Sequence, residues 1–259
     1  MAFIPLSDNP GPRRRFPFVN YALILINIAV FIYELTLPDQ GDCFTKAYSL
    51  LPNAVLNGQA VMAQGCSIGE PTPVYLTLIT AMFLHAGLLH IGGNMLYLWI
   101  FGDNVEDRLG HVWYLVFYLA CGLAANGAQI AATVLTHGDL NVLNLGASGA
   151  IAGVLGAYLV FYPGSRVNTL IFIGVFFTIA RISAFIVIGF WFLLQLVDAF
   201  ISIGPSSGSA GGGVAYFAHV GGFALGLLIA LLVRAVSSGR PNYAATYPAY
   251  PVHPDLRGR

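Results

Sequence analysis

A serine at the predicted start of an apolar helix is the first residue that could do covalent chemistry. Ser148 lies in the segment Asn-Leu-Gly-Ala-Ser-Gly-Ala (144–150), and an apolar run follows it as far as Tyr162. A serine at this position is ordinarily an N-cap. However, the first backbone N–H groups of a helix have no acceptor inside the helix and can bind a developing anion. The hydroxyl beside them is therefore a candidate nucleophile for acyl transfer.

A histidine near the start of the last apolar run is the candidate general base for that serine. Each of the two residues, Ser148 and His219, is followed in its own apolar run by a pair of glycines four residues apart. Small residues at this spacing allow two membrane helices to pack closely. If these faces meet, His219 comes near Ser148. The packing glycines are Gly149 and Gly153 in one run and Gly222 and Gly226 in the other.

Two further polar residues, His90 and Asn94, are four positions apart. They therefore lie one turn apart on one face of a helix, and both can donate hydrogen bonds from it. The pair alone is also typical of residues that only bond a neighbouring helix. For the remaining intramembrane amides we predict that simpler role; they are Asn126, Gln129 and Gln195.

The composition indicates that membrane helices must position these residues. Of 259 residues, 57% are hydrophobic and only 8% are charged, whereas soluble domains carry roughly 25% charged residues. The net charge is zero, so nucleic-acid binding has no electrostatic basis. There is no His-Glu-x-x-His zinc motif, and the one intramembrane aspartate, Asp198, cannot form an aspartyl pair. We expect an all-α polytopic membrane protein that binds neither metal nor cofactor.

Apolar runs of membrane-spanning length predict six crossings. The run 166–203 is longer than one ordinary span, and Arg181 splits it. Its first part, 167–180, is short for a crossing, so we expect it to be interfacial or re-entrant. The other spans are expected to begin near Phe18, Gly87, His111, Ser148 and Val214. We assign 1–17 to an N-terminal segment, 18–235 to the membrane domain and 236–259 to a disordered tail.

The distribution of basic residues supports six spans over seven. With six spans and the amino terminus inside, nine arginines lie on the inner side and Lys46 lies outside, with Arg181 at the boundary left uncounted. Seven spans would give five basic residues on each side. Because cytoplasmic loops carry an excess of Lys and Arg, we expect a multi-pass protein of the cell membrane with both termini cytoplasmic.

The depth of the candidate residues predicts where the second crossing begins. If it began at Tyr75, His90 would lie about 22 Å deep at 1.5 Å per residue, far below Ser148. A start near Gly87 brings His90 to the level of Ser148 and His219, near the outer face. We therefore expect Tyr75–His85 to be a separate interfacial element.

Two of the three cysteines, Cys43 and Cys66, fall in the first outer loop. In an oxidising outer compartment they could form a disulfide, and two free thiols are the alternative.

Taken in order, the motifs resemble those of the rhomboid family of intramembrane serine proteases over about residues 18–235. They are His-Ala-Gly-Leu-Leu-His-Ile-Gly-Gly-Asn (85–94), Gly102 with Glu106 and Gly110, Gly-Ala-Ser-Gly (146–149), and Ala-His at 218–219 with Gly222 and Gly226. The resemblance implies a six-transmembrane-helix rhomboid-like bundle that cleaves transmembrane substrates. It also implies that the stretch from Gly102 to Gly110 is a structural turn on the inner side.

The resemblance assigns a role to each candidate residue. Ser148 is implied to be the nucleophile and His219 the general base of a catalytic dyad. His90 and Asn94, with the Ser148 backbone N–H, are implied to form the oxyanion hole. Some members carry an aromatic residue four positions after the serine, where it supports the histidine ring. In this chain that position is Ala152.

Substrates and competing functions follow from the same reasoning. Peptide bonds inside a membrane helix are poorly accessible because their carbonyls are already bonded. We therefore expect membrane-protein substrates whose transmembrane segment is destabilised near its outer end. The main alternative is an inactive rhomboid-like binder of membrane proteins, although such proteins typically lack the serine or the histidine. A transporter is disfavoured because intramembrane charges along a path and internal repeats are both missing.

Overall fold

A computed structural model describes residues 2–11, 14–37, 41–58, 73–174, 176–202 and 215–236 of the chain. It is mostly helical and contains one small sheet. The strands are β1 (Ala2–Asp8), β2 (Arg166–Ile173) and β3 (Phe176–Ser183). The first four helices are α1 (Phe18–Thr36), α2 (Asp42–Tyr48), α3 (Pro52–Asn57) and α4 (Thr77–Thr80). The later helices are α5 (Leu88–Tyr97), α6 (Asp103–Leu109), α7 (His111–Leu135), α8 (Ser148–Phe161), α9 (Ala184–Ser202) and α10 (Tyr216–Val236).

Four of the described helices are long and apolar enough to cross a membrane, namely α1, α7, α9 and α10. A bent pair, Val74–Phe83 with Leu88–Leu109, would add a fifth span. The central helix α8 has only 14 residues, which is about 21 Å at 1.5 Å per residue. Most of α8 is buried, so other helices rather than lipid surround it. The chain is therefore a membrane protein, as its composition predicts.

The break before the second crossing is where the depth argument predicts it. Short helical turns cover Val74–Phe83, and α5 begins at Leu88 after a bend of 79°. A π-helical segment, Leu98–Gly102, joins α5 to α6. A bend therefore separates the Val74–Phe83 turns from α5, as expected, while the interfacial position of Tyr75–His85 stays a prediction.

The glycine-lined faces of α8 and α10 meet, as the spacing predicts. A Cβ on Gly222 would collide with the Gly149 carbonyl oxygen, and a Cβ on Gly226 would collide with the Gly153 backbone. Only glycine at these positions lets the two backbones approach so closely. This contact fixes the relative position of the first turns of the two helices.

A buried carboxylate fixes the start of α1 against α6. Glu106 is fully buried and accepts hydrogen bonds from the backbone N–H groups of Val19 (3.0 Å) and Asn20 (2.7 Å). These N–H groups belong to the first turn of α1, where no acceptor exists within the helix and negative charge is favourable. His111 Nδ1 lies 2.5 Å from the same carboxylate. These contacts agree with a structural role for the Gly102–Gly110 stretch.

The all-α expectation needs one correction, because the segment after α8 folds as a hairpin. Strands β2 and β3 pair antiparallel, with Thr169 opposite Ala180, and β1 pairs with β2 on its other edge. The prediction that 167–180 is a re-entrant or interfacial piece gave no hint of strands. Both strands are rich in β-branched and aromatic residues, which favour a pleated surface. The predicted N-terminal segment 1–17 likewise contains a strand.

The sheet is joined to the helical core by polar and aromatic contacts. The Asp8 carboxylate accepts hydrogen bonds from Asn104 Nδ2 (2.9 Å) and from the Tyr158 hydroxyl (2.6 Å). The Phe3 ring packs edge-on against Phe190 of α9, with ring centroids 5.2 Å apart. The sheet and the helix ends that it contacts therefore form one unit.

Two sequence predictions fall wholly or partly outside the described residues. Cys43 is disulfide-bonded and Cys121 is a free buried thiol, whereas Cys66 lies outside the described residues. The predicted disordered tail, 236–259, lies outside them except for Val236, which ends α10.

We predict that Gly226→Ala lowers the thermal unfolding midpoint in detergent micelles. The added methyl must push α10 away from α8, and overpacking of this kind costs about 1–3 kcal/mol. Gly127→Ala is the matched control, because a Cβ there meets no atom within 4 Å and alanine is the better helix former by about 1 kcal/mol. Equal midpoints for the two variants would contradict the close packing of α8 and α10.

Candidate active site

The candidate nucleophile and general base are in hydrogen-bond contact. Ser148 is the first residue of α8, and His219 lies in the first turn of α10. The Ser148 Oγ is 2.7 Å from His219 Nε2. His219 is buried, with 7% of its surface exposed, while Ser148 is only half-buried. A substrate could therefore reach the hydroxyl, whereas the imidazole is shielded from bulk water.

The other ring nitrogen of His219 also has a partner, on α9. His219 Nδ1 lies 2.6 Å from Gln195 Oε1. The Trp191 ring, one turn earlier on α9, packs against the imidazole with ring centroids 5.7 Å apart. The sequence prediction for Gln195, a bond to a neighbouring helix, is confirmed. It did not identify His219 as the partner, although the four-residue spacing of Trp191 and Gln195 places both on one face of α9.

His90 lies in the first turn of α5, with its ring against the loop that precedes Ser148. The backbone N–H of Ala86 donates to His90 Nδ1 at 3.3 Å. In neutral His90 the proton is therefore on Nε2, which becomes a donor. A Cβ on Gly146 would lie 2.9 Å from this Nε2 and 3.7 Å from Ser148 Oγ. The His90 donor and the Ser148 hydroxyl thus border the same loop residue.

Asn94 lies one turn after His90 and is buried, with 8% of its surface exposed. Its Nδ2 has no hydrogen-bond partner among the residues that the structure describes. An unpaired buried donor costs roughly 1–3 kcal/mol. The Nδ2 donor is therefore available to an acceptor that the described residues do not supply.

A small cavity lies beside Ser148. Its volume is about 20 Å³, which is the room of about one water molecule. Asn126 faces it and donates to the Leu78 carbonyl oxygen at 2.8 Å. Small side chains make up most of its wall, which includes Gly122, Gly146, Gly149, Ala150, Ala215 and Ala218.

The other polar groups near the site bond neighbouring helices. Asn126 does so through Leu78, and Gln129 Oε1 of α7 accepts from the Ala218 backbone N–H of α10 at 3.3 Å. The predictions for these two amides are confirmed. Over the described part of the chain, no three His, Cys, Asp or Glu side chains group as a metal site would require.

The structure thus brings Ser148, His219 and His90 to one end of the bundle. It places the four glycines, Gly149, Gly153, Gly222 and Gly226, between α8 and α10. The first backbone N–H groups of α8 lie beside the Ser148 hydroxyl by the geometry of a helix start. This end of the bundle combines a hydroxyl, a basic nitrogen and several hydrogen-bond donors.

The chain is similar in sequence to several rhomboid proteins. Rhomboid protein 1, mitochondrial, of Saccharomyces cerevisiae is 28% identical over 155 residues, which are 59% of this chain and 39% of that protein. RHOMBOID-like protein 6, mitochondrial, of Arabidopsis thaliana is 39% identical over 32% of this chain and 25% of that protein. RHOMBOID-like protein 4 of Arabidopsis thaliana is 26% identical over 89% of this chain. The chain spans 55% of that last relative's length, and less of the other two.

A family match covers both histidines and the serine described above. Residues 73–236 match the family model described as Rhomboid domain, and this region is more than half of the 259 residues. On this match, the chain belongs to the rhomboid family.

Proposed function

We propose that this protein is an intramembrane serine endopeptidase that cleaves transmembrane segments through a Ser148–His219 dyad. Rhomboid proteins are typically serine intramembrane proteases that act on membrane-protein substrates. The observation that carries the proposal is the 2.7 Å contact between Ser148 Oγ and His219 Nε2 at the start of a helix. A serine that served only as an N-cap would bond its own helix. The hydroxyl instead faces the one nitrogen that can take its proton.

Acylation begins when His219 Nε2 takes the Ser148 proton and Oγ attacks the scissile carbonyl carbon. The carbonyl oxygen becomes an oxyanion in the tetrahedral intermediate. His219, now protonated, gives its Nε2 proton to the amide nitrogen, and the C–N bond breaks. One product leaves with a new amino terminus, and the other stays esterified to Ser148.

Deacylation repeats the same steps with water as the nucleophile. His219 takes a proton from water, the hydroxide attacks the ester carbon, and the C–O bond to Ser148 breaks. The proton then returns to Oγ. Because Ser148 is half-buried at one end of the bundle, water can enter from that side without crossing the membrane.

We assign the oxyanion hole to the Ser148 backbone N–H together with His90 and Asn94. Donors fixed before the reaction stabilise the developing charge without reorganising. His90 offers Nε2–H beside Gly146, and the Asn94 amide lacks another acceptor among the described residues. The free amide favours this role over helix packing, because a packing residue would bond its neighbour.

The architecture that we propose is a six-span domain over residues 18–235. Its six spans are the four long helices, the bent pair taken as one span, and the short, buried α8. An even number of spans and the excess of arginines on one side support the proposal that both termini lie on the inner side. Two of the relatives carry mitochondrial names, so the comparisons do not support the cell membrane in particular.

We propose substrates whose transmembrane segment is weakened near its outer end. The site lies at the first turns of α5, α8 and α10, so only an unwound segment can present its carbonyl there. Replacing the Gly and Pro residues of a cleaved substrate by Leu should abolish cleavage. An equal cleavage rate for the Leu-substituted substrate would argue against this selection.

We predict that Ser148→Ala or His219→Ala abolishes cleavage of a model transmembrane substrate. Either change removes a group that forms or breaks a covalent bond in both half-reactions. The assay is product formation in proteoliposomes, with Ser165→Ala as the matched control, because Ser165 bonds Tyr158 at the far end of α8. Full activity of Ser148→Ala would contradict the Ser148–His219 dyad, whereas no cleavage by the wild-type protein would favour the inactive binder.

We predict that Asn94→Ala weakens turnover without abolishing it. Loss of one oxyanion donor costs about 10²–10³ in kcat, while the dyad remains intact. Measurement of kcat and KM on the same substrate should show the loss in kcat. If Asn94→Ala kept the wild-type kcat, Asn94 would not be part of the oxyanion hole.

A further inference from the structure

We propose that Gln195 is a positioning residue that holds His219 in the tautomer needed to activate Ser148. This inference rests on the proposed function of the Ser148–His219 dyad. It adds a third residue, supplied by α9, to the two that α8 and α10 provide. The group is a neutral amide, so it differs from the carboxylate of a catalytic triad.

The two hydrogen bonds of the imidazole determine which nitrogen carries the proton. His219 Nδ1 lies 2.6 Å from Gln195 Oε1, and Nε2 lies 2.7 Å from Ser148 Oγ. An amide oxygen can only accept a hydrogen bond, so Nδ1 must donate. A neutral imidazole has one donor and one acceptor nitrogen. Nε2 is therefore unprotonated and faces the serine hydroxyl as a base.

The same contact serves the protonated state of His219. After Nε2 accepts the Ser148 proton, both ring nitrogens are donors. The imidazolium forms in a buried position, where an unpaired charge is costly. The Gln195 oxygen then stabilises the added charge through a charge-assisted hydrogen bond. A neutral amide does this without placing a permanent charge inside the membrane.

The packing of α9 holds the amide in place. Trp191 lies one turn before Gln195 and contacts the imidazole, and its ring also packs against Tyr97 of α5, with centroids 6.4 Å apart. Phe192 stacks on Phe223 of α10, with ring centroids 4.0 Å apart and planes 15° apart. These contacts fix the face of α9 that carries Gln195. The Trp191 contact also supports the imidazole ring of His219, a role that the small side chain of Ala152 cannot fill.

The test compares Gln195→Met, Gln195→Glu and the matched control Gln129→Met in proteoliposomes. Methionine keeps the length of the side chain but has no amide oxygen, whereas glutamate keeps an acceptor. In metal sites, loss of the partner that orients a ligating histidine typically costs about 10–100-fold, and we expect a loss of similar size in kcat for Gln195→Met. The KM should stay unchanged, because a positioning residue acts through His219 and not through substrate binding. Gln195→Glu should keep most of the activity, and Gln129→Met should match the wild type.

A purely structural role for Gln195 predicts the opposite order. An apolar methionine would then be tolerated between membrane helices, and a glutamate would be the more damaging change. Wild-type kcat for Gln195→Met, or lower activity for Gln195→Glu than for Gln195→Met, would overturn the inference. Activity of Ser148→Ala would instead overturn the proposed function, so the two failures are distinguishable.

A measurement on the unaltered protein covers the case in which a variant does not fold. In ¹⁵N-histidine-labelled protein, the His219 signals are identified by their loss in His219→Ala. The expected spectrum shows Nδ1 protonated and Nε2 unprotonated at neutral pH. The reverse assignment would overturn the inference, because Gln195 would then not accept from Nδ1.

Discussion

The close approach of the α8 and α10 backbones is the contact on which the rest of the structure depends. Glycine carbonyls of α8 lie where a Cβ on α10 would have to be. Because both helices begin at the same end of the bundle, this contact sets the first residue of α8 against the first turn of α10. The 2.7 Å bond between Ser148 and His219 therefore follows from backbone packing rather than from flexible side chains, and catalytic geometry of this kind tolerates little displacement.

Around this contact the protein satisfies its intramembrane polar groups with neutral partners. Gln195 bonds His219, Gln129 bonds the backbone of α10, and Asn126 bonds the backbone of α4. Each bond crosses between elements, so each amide both pairs a costly group and fixes a helix. The buried charge of Glu106 is compensated by the start of α1. Asn94 departs from this pattern, because its buried Nδ2 has no partner among the described residues.

Much of this arrangement could be predicted from single residues and their spacing. The glycine pairs predicted which helices meet, and the depth of His90 predicted the break before Leu88. The sheet was not predicted because the segment 167–180 was compared only with the length of a membrane-spanning helix. The pairing of its first strand with Ala2–Asp8 is a contact between distant parts of the chain. Gln195 was missed as a partner of His219 for the same reason, since 24 positions separate them.

Labelling by a fluorophosphonate probe tests the central claim most directly, because the probe needs an activated serine but no membrane substrate. The purified protein is treated in detergent micelles, and the modified residue is located by peptide mass analysis. The account predicts one adduct on Ser148, absent from His219→Ala. An adduct on another serine, or equal labelling of Ser148 in His219→Ala, would contradict the claim that His219 activates Ser148.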